Sequence, residues 1–358
     1  MLYPIQNNVR NRLDLSGIWD FKIDPQAVGE RNGWFNGLSE ARPIAVPGSW
    51  NEQYEDIFNY LDLAWYVKRT YIPSSWRGQR VFIRVGSACY YGTVYINGQK
   101  AGSHEGGHLP FAFEITHLIK WDEENVIAIS VENTLKPTRV PAGNMNTALG
   151  PFASFPRTTY DFFPFAGIHR PVVLYSVPQT HLEDVTVVTG INGSDGGVKV
   201  TARLNGPVTA PGTVTLNGGP KPVQVQVSFR EGLAETVLTV PNARFWSPAD
   251  PYLYNLTIQT ESDCYNLQIG IRTIKVQGKQ ILLNGQPVQL NALARHKGFI
   301  YWQRGLNLPL MVKITAIDAL DEGQQLPHAT IPTTVKKKCS VSATSSYRRI
   351  PVDLIPAI

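Results

Sequence analysis

Residues 81–102 read VFIRVGSACYYGTVYINGQKAG, and this stretch decides the fold class. Two runs rich in β-branched and aromatic residues, 81–86 and 93–96, lead to Asn97-Gly98. Asn-Gly accepts positive φ at both central positions of a two-residue turn, so the stretch predicts a hairpin. Outward from it the pattern repeats. ENVIAISVEN (124–133) and RPVVLYSV (170–177) are further alternating or apolar runs of strand length. No amphipathic helical period interrupts residues 1–180. Many short strands without intervening helices predict two packed sheets, a jelly-roll-like sandwich over 1–180.

Residues 181–275 change character. Aromatics are few until Phe245-Trp246, and the runs DVTVVTG, VKVTARL, GTVTLNG, PVQVQVSF, ETVLTV and LYNLTIQT follow one another with Gly, Pro or Asn between them. That spacing predicts an immunoglobulin-like β-sandwich, without the Cys…Trp…Cys pattern of antibody domains. From 276 to 313 a third pattern begins. KQILLNGQPVQLNALARH (279–296) predicts a strand, a turn at Asn284-Gly285 and a second strand. This hairpin should deliver the chain to a new domain. Residues 314–358 hold no sustained apolar period and read as coil.

The bulk properties narrow the function classes. With 358 residues there is room for two ordinary domains and part of a third. Hydrophobic residues make up 43% and charged residues 17%, as in a globular protein, and the net charge of +5 is mild. No basic run interleaved with aromatics precedes Lys336-Lys337-Lys338, which argues against nucleic-acid binding. Cys89, Cys264 and Cys339 are scattered and give no zinc spacing, so no metal site is expected. The N-terminus lacks a basic-then-apolar signal pattern, and no apolar run is long enough to span a bilayer. A cytoplasmic protein without membrane partners is the expectation.

Several segments resemble glycoside hydrolase family 2, and within it the β-glucuronidases. LSGIWDFKID (15–24) looks like the family's opening strand. AVPGSWNEQ (45–53) with AWYVKRTYIP (64–73), and YYGTVYINGQKAGSHEGGHLPFAFEIT (90–116), are similar to two of its long blocks. YDFFPFAGIHRPVVLY (160–175), FWSPADPYLYNL (245–256) and GIRTIKVQGKQILLNGQPVQLNALARH (270–296) continue the match in the family's order. The resemblance covers 1–313. It implies a sugar-binding jelly roll, an immunoglobulin-like sandwich and the start of a catalytic TIM (β/α)8 barrel. It also implies retaining hydrolysis of β-D-glucuronides without a cofactor, and relatives that assemble as tetramers. Two alternatives stay open: a non-catalytic carbohydrate-binding module, and another family 2 glycosidase such as a β-galactosidase.

Asp161 is the candidate substrate-binding residue. Its neighbours Tyr160, Phe162 and Phe163 form an apolar setting in which an unpaired carboxylate is costly. A structural aspartate paired with Arg157 or Arg170 would also satisfy it. The resemblance implies instead that Asp161 reaches into the active site and hydrogen-bonds sugar hydroxyls. His104 and His108 flank Gly106-Gly107, but no carboxylate–histidine set completes a metal site. His169 reads as structural. Arg295-His296 is similar to the family's Arg-His-Glu-Asp segment, with Lys297-Gly298 in place of the acidic pair.

No catalytic pair is visible. Retaining glycosidases use two carboxyl groups about 5–5.5 Å apart, an acid/base and a nucleophile. The resemblance places both on glutamates of later barrel strands, the acid/base following an Asn. This chain has Asn51-Glu52 but no Asn-Glu after residue 300, and it lacks the family's Asn-x-Lys, which reads the glucuronate carboxylate. Read in shifted frames with a choice of synonymous codons, Gly298–Gly305, Ile317–Ala329 and Ala329–Thr344 can spell segments similar to the family's barrel. The expectation is a chain truncated before its catalytic glutamates by frameshifts, from a sequencing error, a mis-assigned gene or gene decay. Residues 298–358 should then pack poorly while the sandwiches keep their cores, and the chain alone should be inactive.

Overall fold

The computed structural model describes residues 2–140, 142–147, 156–158, 164–288, 310–314 and 352–356. Two β-sandwiches account for most of them.

The strands of the first sandwich are β1 (Asn11–Asp14), β2 (Gly17–Ile23), β3 (Arg42–Val46), β4 (Gly48–Ser49), β5 (Leu63–Tyr71), β6 (Arg80–Cys89), β7 (Tyr91–Ile96), β8 (Gln99–Glu105), β9 (Phe111–Glu114), β10 (Glu124–Glu132), β11 (Gly143–Thr147), β12 (Pro156–Thr158) and β13 (Gly167–Val177). One sheet runs β1-β13-β6-β9, with β4 also on β13; the other runs β3-β2-β5-β10-β7-β8. Strands β11 and β12 form a separate ladder. Alternation sorts the side chains. Val81, Ile83 and Val85 are buried while Phe82 and Arg84 turn to the opposite face. Trp19, Phe21, Trp50 and Tyr66 fill the centre, with Phe21 edge-on to Tyr66 at 5.0 Å between ring centroids.

The stretch 81–102 divides between the sheets. Its first run is β6, in one sheet, and its second is β7, in the other. The chain crosses at Cys89-Tyr90, where the Tyr90 amide donates to the Glu132 carbonyl at 2.9 Å. The hairpin joins β7 to β8, with Ile96 opposite Gln99 and Asn97 and Gly98 at φ 50° and 84°. Positive φ at both positions is the turn whose twist matches paired strands. The Asn97 side chain adds a further restraint, donating to Asn125 Oδ1 at 2.8 Å and accepting from the Val126 amide at 2.9 Å. The buried Cys89 thiol sits at the crossing, and desolvation pushes it up to about 12.

The second sandwich contains β14 (Leu182–Asn192), β15 (Asp195–Leu204), β16 (Ala210–Asn217), β17 (Val223–Phe229), β18 (Leu233–Val240), β19 (Tyr254–Thr260) and β20 (Cys264–Ile269). Its sheets run β14-β15-β18 and β17-β16-β19-β20, the immunoglobulin-like arrangement of seven strands. Val198, Val200, Ala202 and Leu204 point inward on β15, while Lys199 and Arg203 lie outside. They meet Val214, Leu216, Leu256 and Ile258 of the facing sheet in one core.

A buried ion pair joins the chain before β1 to the second sandwich. Arg10 and Asp263 lie 253 residues apart, with Nε to Oδ1 at 2.8 Å and Nη2 to Oδ2 at 2.6 Å. Arg10 also donates to the Leu182 carbonyl at 2.7 Å, and Asp263 accepts the amides of Leu182 and Cys264 at 2.7 and 2.9 Å. The carboxylate is therefore fully engaged by donors, the condition under which a buried charge is tolerated.

Beyond the second sandwich, β21 (Ile274–Gln277), β22 (Gln280–Leu283) and β23 (Gln286–Pro287) make a three-stranded meander. The expected turn is present: Leu283 faces Gln286 across Asn284 and Gly285, at φ 52° and 79°. A further ladder pairs β24 (Leu310–Ile314) with β25 (Val352–Pro356). The second of these lies inside the stretch expected to be coil, and its run VDLIP matches the apolar LMVKI of its partner. Residues 289–309 of the expected barrel start and the other residues of the tail, with Arg295, His296 and the shifted-frame segments, lie outside the described residues. Among the described residues no helix is long and apolar enough to cross a membrane.

Candidate functional site

Asp161 itself lies outside the described residues. The end of the first sandwich to which its segment returns is well defined. Strand register places the start of β5, the β6–β7 crossing, the end of β8, the end of β10 and the start of β13 together. Leu63 pairs with Glu132, Tyr91 with Glu132 and Glu105, and Gly167 with Cys89 and Ser49.

Two buried asparagines hold the three residues that lead from the Asp161 segment into β13. Asn51 accepts the Ala166 amide on Oδ1 at 2.8 Å and donates through Nδ2 to the carbonyls of Phe58 and Tyr60 at 2.8 and 3.1 Å. It sits in the first turn of a short helix, α1 (Trp50–Gln53), whose N-cap Ser49 accepts the Asn51 amide. Asn133, just past β10, donates to the Pro164 carbonyl at 2.8 Å. Both side chains are 2% exposed or less. Asn51 satisfies several backbone groups at once and Asn133 adds one more, so together they fix a loop that no ladder holds.

A charged cluster lies beside them. Arg139, whose side chain is 2% exposed, pairs with Glu105 at 2.8 Å and with Glu132 at 3.3 Å, and donates to the Thr134 carbonyl. Burial alone would raise Glu132, but hydrogen bonds from Thr134 and Arg139 and the nearby positive charges outweigh it and hold the carboxyl below its ordinary value. Asp62 goes the other way, raised by burial and by the negative charges of Glu132 and Asp24. Both glutamates are thus committed to Arg139. Among the described residues this end of the sandwich presents hydrogen-bonding groups and a charge network centred on Arg139, with no activated nucleophile.

The histidines are placed without a shared role. His104 stacks on Phe111, with centroids 4.6 Å apart and planes at 18°. The His108 carbonyl accepts from Arg170 Nη1 at 3.2 Å, which gives that arginine a contact other than Asp161. His169 lies half-buried in β13. Among the described residues no group of three His, Cys, Asp or Glu side chains is arranged to hold a metal ion. Asn51, Asn133 and Arg139 were not singled out in the sequence. The Ser-x-x-Glu of Ser49 to Glu52 carries a visible capping signal, but nothing local marked Asn133, whose partner lies 31 residues away, or Arg139, whose Glu105 partner lies 34 residues away.

Comparison with known proteins places these features in a family. Residues 13–178 match the model for "Glycosyl hydrolases family 2, sugar binding domain", and residues 180–272 match "Glycosyl hydrolases family 2". The β-glucuronidase of Paenibacillus borealis is 33% identical over 326 residues, covering 87% of this chain and 54% of that protein. The Canis lupus familiaris β-glucuronidase is 34% identical over 346 residues, with 87% and 52% covered. Among solved structures, Lactobacillus rhamnosus β-glucuronidase superposes with a TM-score of 0.76 at 33% identity, over 82% of this chain and 50% of that one. A Ruminococcus gnavus β-glucuronidase in complex with D-glucaro-d-lactam gives 0.75 at 31% identity, over 86% and 55%. The chain spans about half the length of the curated relatives it matches.

Proposed function

Because the chain belongs to glycosyl hydrolases family 2, we propose that the protein it represents hydrolyses β-D-glucuronides with retention of configuration, and that this chain alone turns over no glycoside. The observation that carries the first part is the run of similarity to β-glucuronidases along 87% of the chain. The second part rests on the absence of any Asn-Glu after residue 300. Retention needs one carboxyl to attack the anomeric carbon while the other protonates the leaving oxygen, then a water activated by that second group releases the sugar. The sandwiches would supply binding and not this chemistry.

In this reading Asp161 accepts hydrogen bonds from sugar hydroxyls. Asn51 and Asn133 hold Ala166 and Pro164, just after its segment. In a catalytically complete form of the protein, Asp161→Ala is expected to raise KM for a glucuronide at least tenfold, the loss of about 1.5–3 kcal/mol for a hydrogen bond to a charged group. An unchanged KM and kcat/KM would remove Asp161 from the site.

The chain itself is tested by incubation with 4-nitrophenyl β-D-glucuronide and with the β-galactoside. Neither is expected to release nitrophenol above buffer, and steady turnover of either would overturn the inactive reading. Resequencing the DNA and transcript from codon 290 past codon 358 then separates two origins. Restored frames with a downstream Asn-Glu would mark a damaged record of an active enzyme. The second reading, a carbohydrate-binding module, is favoured by the sugar-binding description of the family model over 13–178.

A further inference from the structure

The outer face of the five-stranded sheet carries a group of guanidinium and aromatic side chains. Arg12 on β1, Tyr175 on β13 and Phe82 on β6 stand in one cross-strand row, and Arg84 lies two residues along β6 on the same face. Phe82 and Tyr175 stack, with centroids 5.2 Å apart and planes at 12°. The Tyr3 ring, 50% exposed, covers the group, with the guanidinium carbons of Arg84 and Arg12 at 5.0 and 5.8 Å from its centroid.

The neighbouring arginines each have a carboxylate beside them, and Glu183 adds a second negative charge near Arg80. Arg10 is paired with Asp263, Arg12 with Asp14 and Arg80 with Glu114. Arg84 has no carboxylate partner among the described residues, and both it and Arg12 keep an Nε–H without an acceptor. Tyr175 lies in the field of this group: burial pushes its hydroxyl up to about 12 against the opposing pull of Arg10, Arg84 and Arg80. A half-buried guanidinium next to exposed ring surface is matched by an anion that brings a ring-sized apolar face of its own. A sugar ring bearing an acid group has both parts, the acid for the planar fork and the C–H face for the aromatic rings.

We propose that Arg84, with Arg12, Tyr3 and Tyr175, forms a surface site for an acidic carbohydrate, engaging one carboxylate or sulfate of the chain it binds. The site goes beyond the hydrolytic reading and does not depend on turnover. Arg84 enters the contact without a carboxylate of its own among the described residues, so binding should weaken with salt as screening takes hold.

The test is calorimetric titration of the full chain at low ionic strength with three tetrasaccharides. One is an unsulfated glucuronate–N-acetylglucosamine oligomer, one a sulfated glucan oligomer, and one the neutral maltotetraose. At least one acidic oligomer is expected to bind, and the tighter of the two identifies the acid group. Arg84→Gln is expected to weaken it about tenfold or more, as one charge-assisted fork is lost. Arg84→Lys keeps the charge without the fork and should lie between, with thermal unfolding confirming that both variants remain folded. Absence of binding to both acidic oligomers, equal binding of maltotetraose, or affinity unchanged in both Arg84 variants would each overturn the proposal. Complete displacement by equimolar inorganic sulfate would also overturn it, since the sugar ring would then contribute nothing. The glucuronide assay is read independently, so failure here leaves the hydrolytic reading where it stood.

Discussion

Asp263→Ala is expected to lower the stability of the second sandwich by about 3–5 kcal/mol, the range for removing one partner of a buried pair. The reason is the charge left behind. Arg10 is 4% exposed, and without the carboxylate its guanidinium keeps only the Leu182 carbonyl and the Tyr265 ring, at 5.0 Å, for company. The amides of Leu182 and Cys264 also lose their acceptors. Urea unfolding followed by tyrosine and tryptophan fluorescence would report the loss. Arg10→Met combined with Asp263→Leu provides the contrast, because replacing both charges by apolar groups is often close to neutral. A drop below 1 kcal/mol in the single variant would mean that water reaches the pair and that the two sandwiches are not joined through it.

The second large effect is expected at Asn51. Asn51→Leu keeps the volume but removes the donor to the Phe58 carbonyl and leaves the Ala166 amide without its Asn51 acceptor, at about 1–3 kcal/mol for that amide. Tyr60 is less affected, since its carbonyl also accepts from Trp50 Nε1 at 3.0 Å. The readout that separates a local role from general damage is hydrogen exchange. Peptides covering 164–168 should lose protection by one to two orders of magnitude while those covering β15 and β19 stay unchanged. Asn133→Leu should act on the same peptides more weakly, because the hydrogen bond to the Pro164 carbonyl is removed alone. If exchange at 164–168 matched the unmodified chain in both variants, the asparagines would not be what holds this segment.

The two sandwiches were legible because their signals are local. Alternation in VKVTARL and LYNLTIQT assigns faces directly, and Asn97-Gly98 and Asn284-Gly285 each announce a turn that the backbone adopts. What local pattern could not give was sheet membership. The runs 81–86 and 93–96 look alike, yet they belong to facing sheets, and only the pairing of β6 with β13 and β7 with β10 separates them. The site was harder for the same reason. Arg139 reads as one more basic residue in a proline-containing loop until β8 and β10 bring Glu105 and Glu132 to it. Asp161 is marked by resemblance alone, since no local pattern distinguishes it from a structural aspartate.

The pairing of β1 with β13 has a consequence for how such a chain is made. Asn11 meets Ser176 in the finished sheet, and Asn11 Nδ2 donates to Ser176 Oγ at 3.0 Å across 165 residues of sequence. At about 5–20 residues per second, a ribosome delivers that partner roughly 8–33 s later, and the partner of Arg10 about 13–50 s later. Through that interval the first dozen residues must wait in water beside a growing nascent chain. Their content suits the wait: Asn7, Asn8, Arg10, Asn11 and Arg12 are well hydrated, and the cations discourage premature pairing with other strand edges. This segment is synthesised well before its partners and is among the last to be seated.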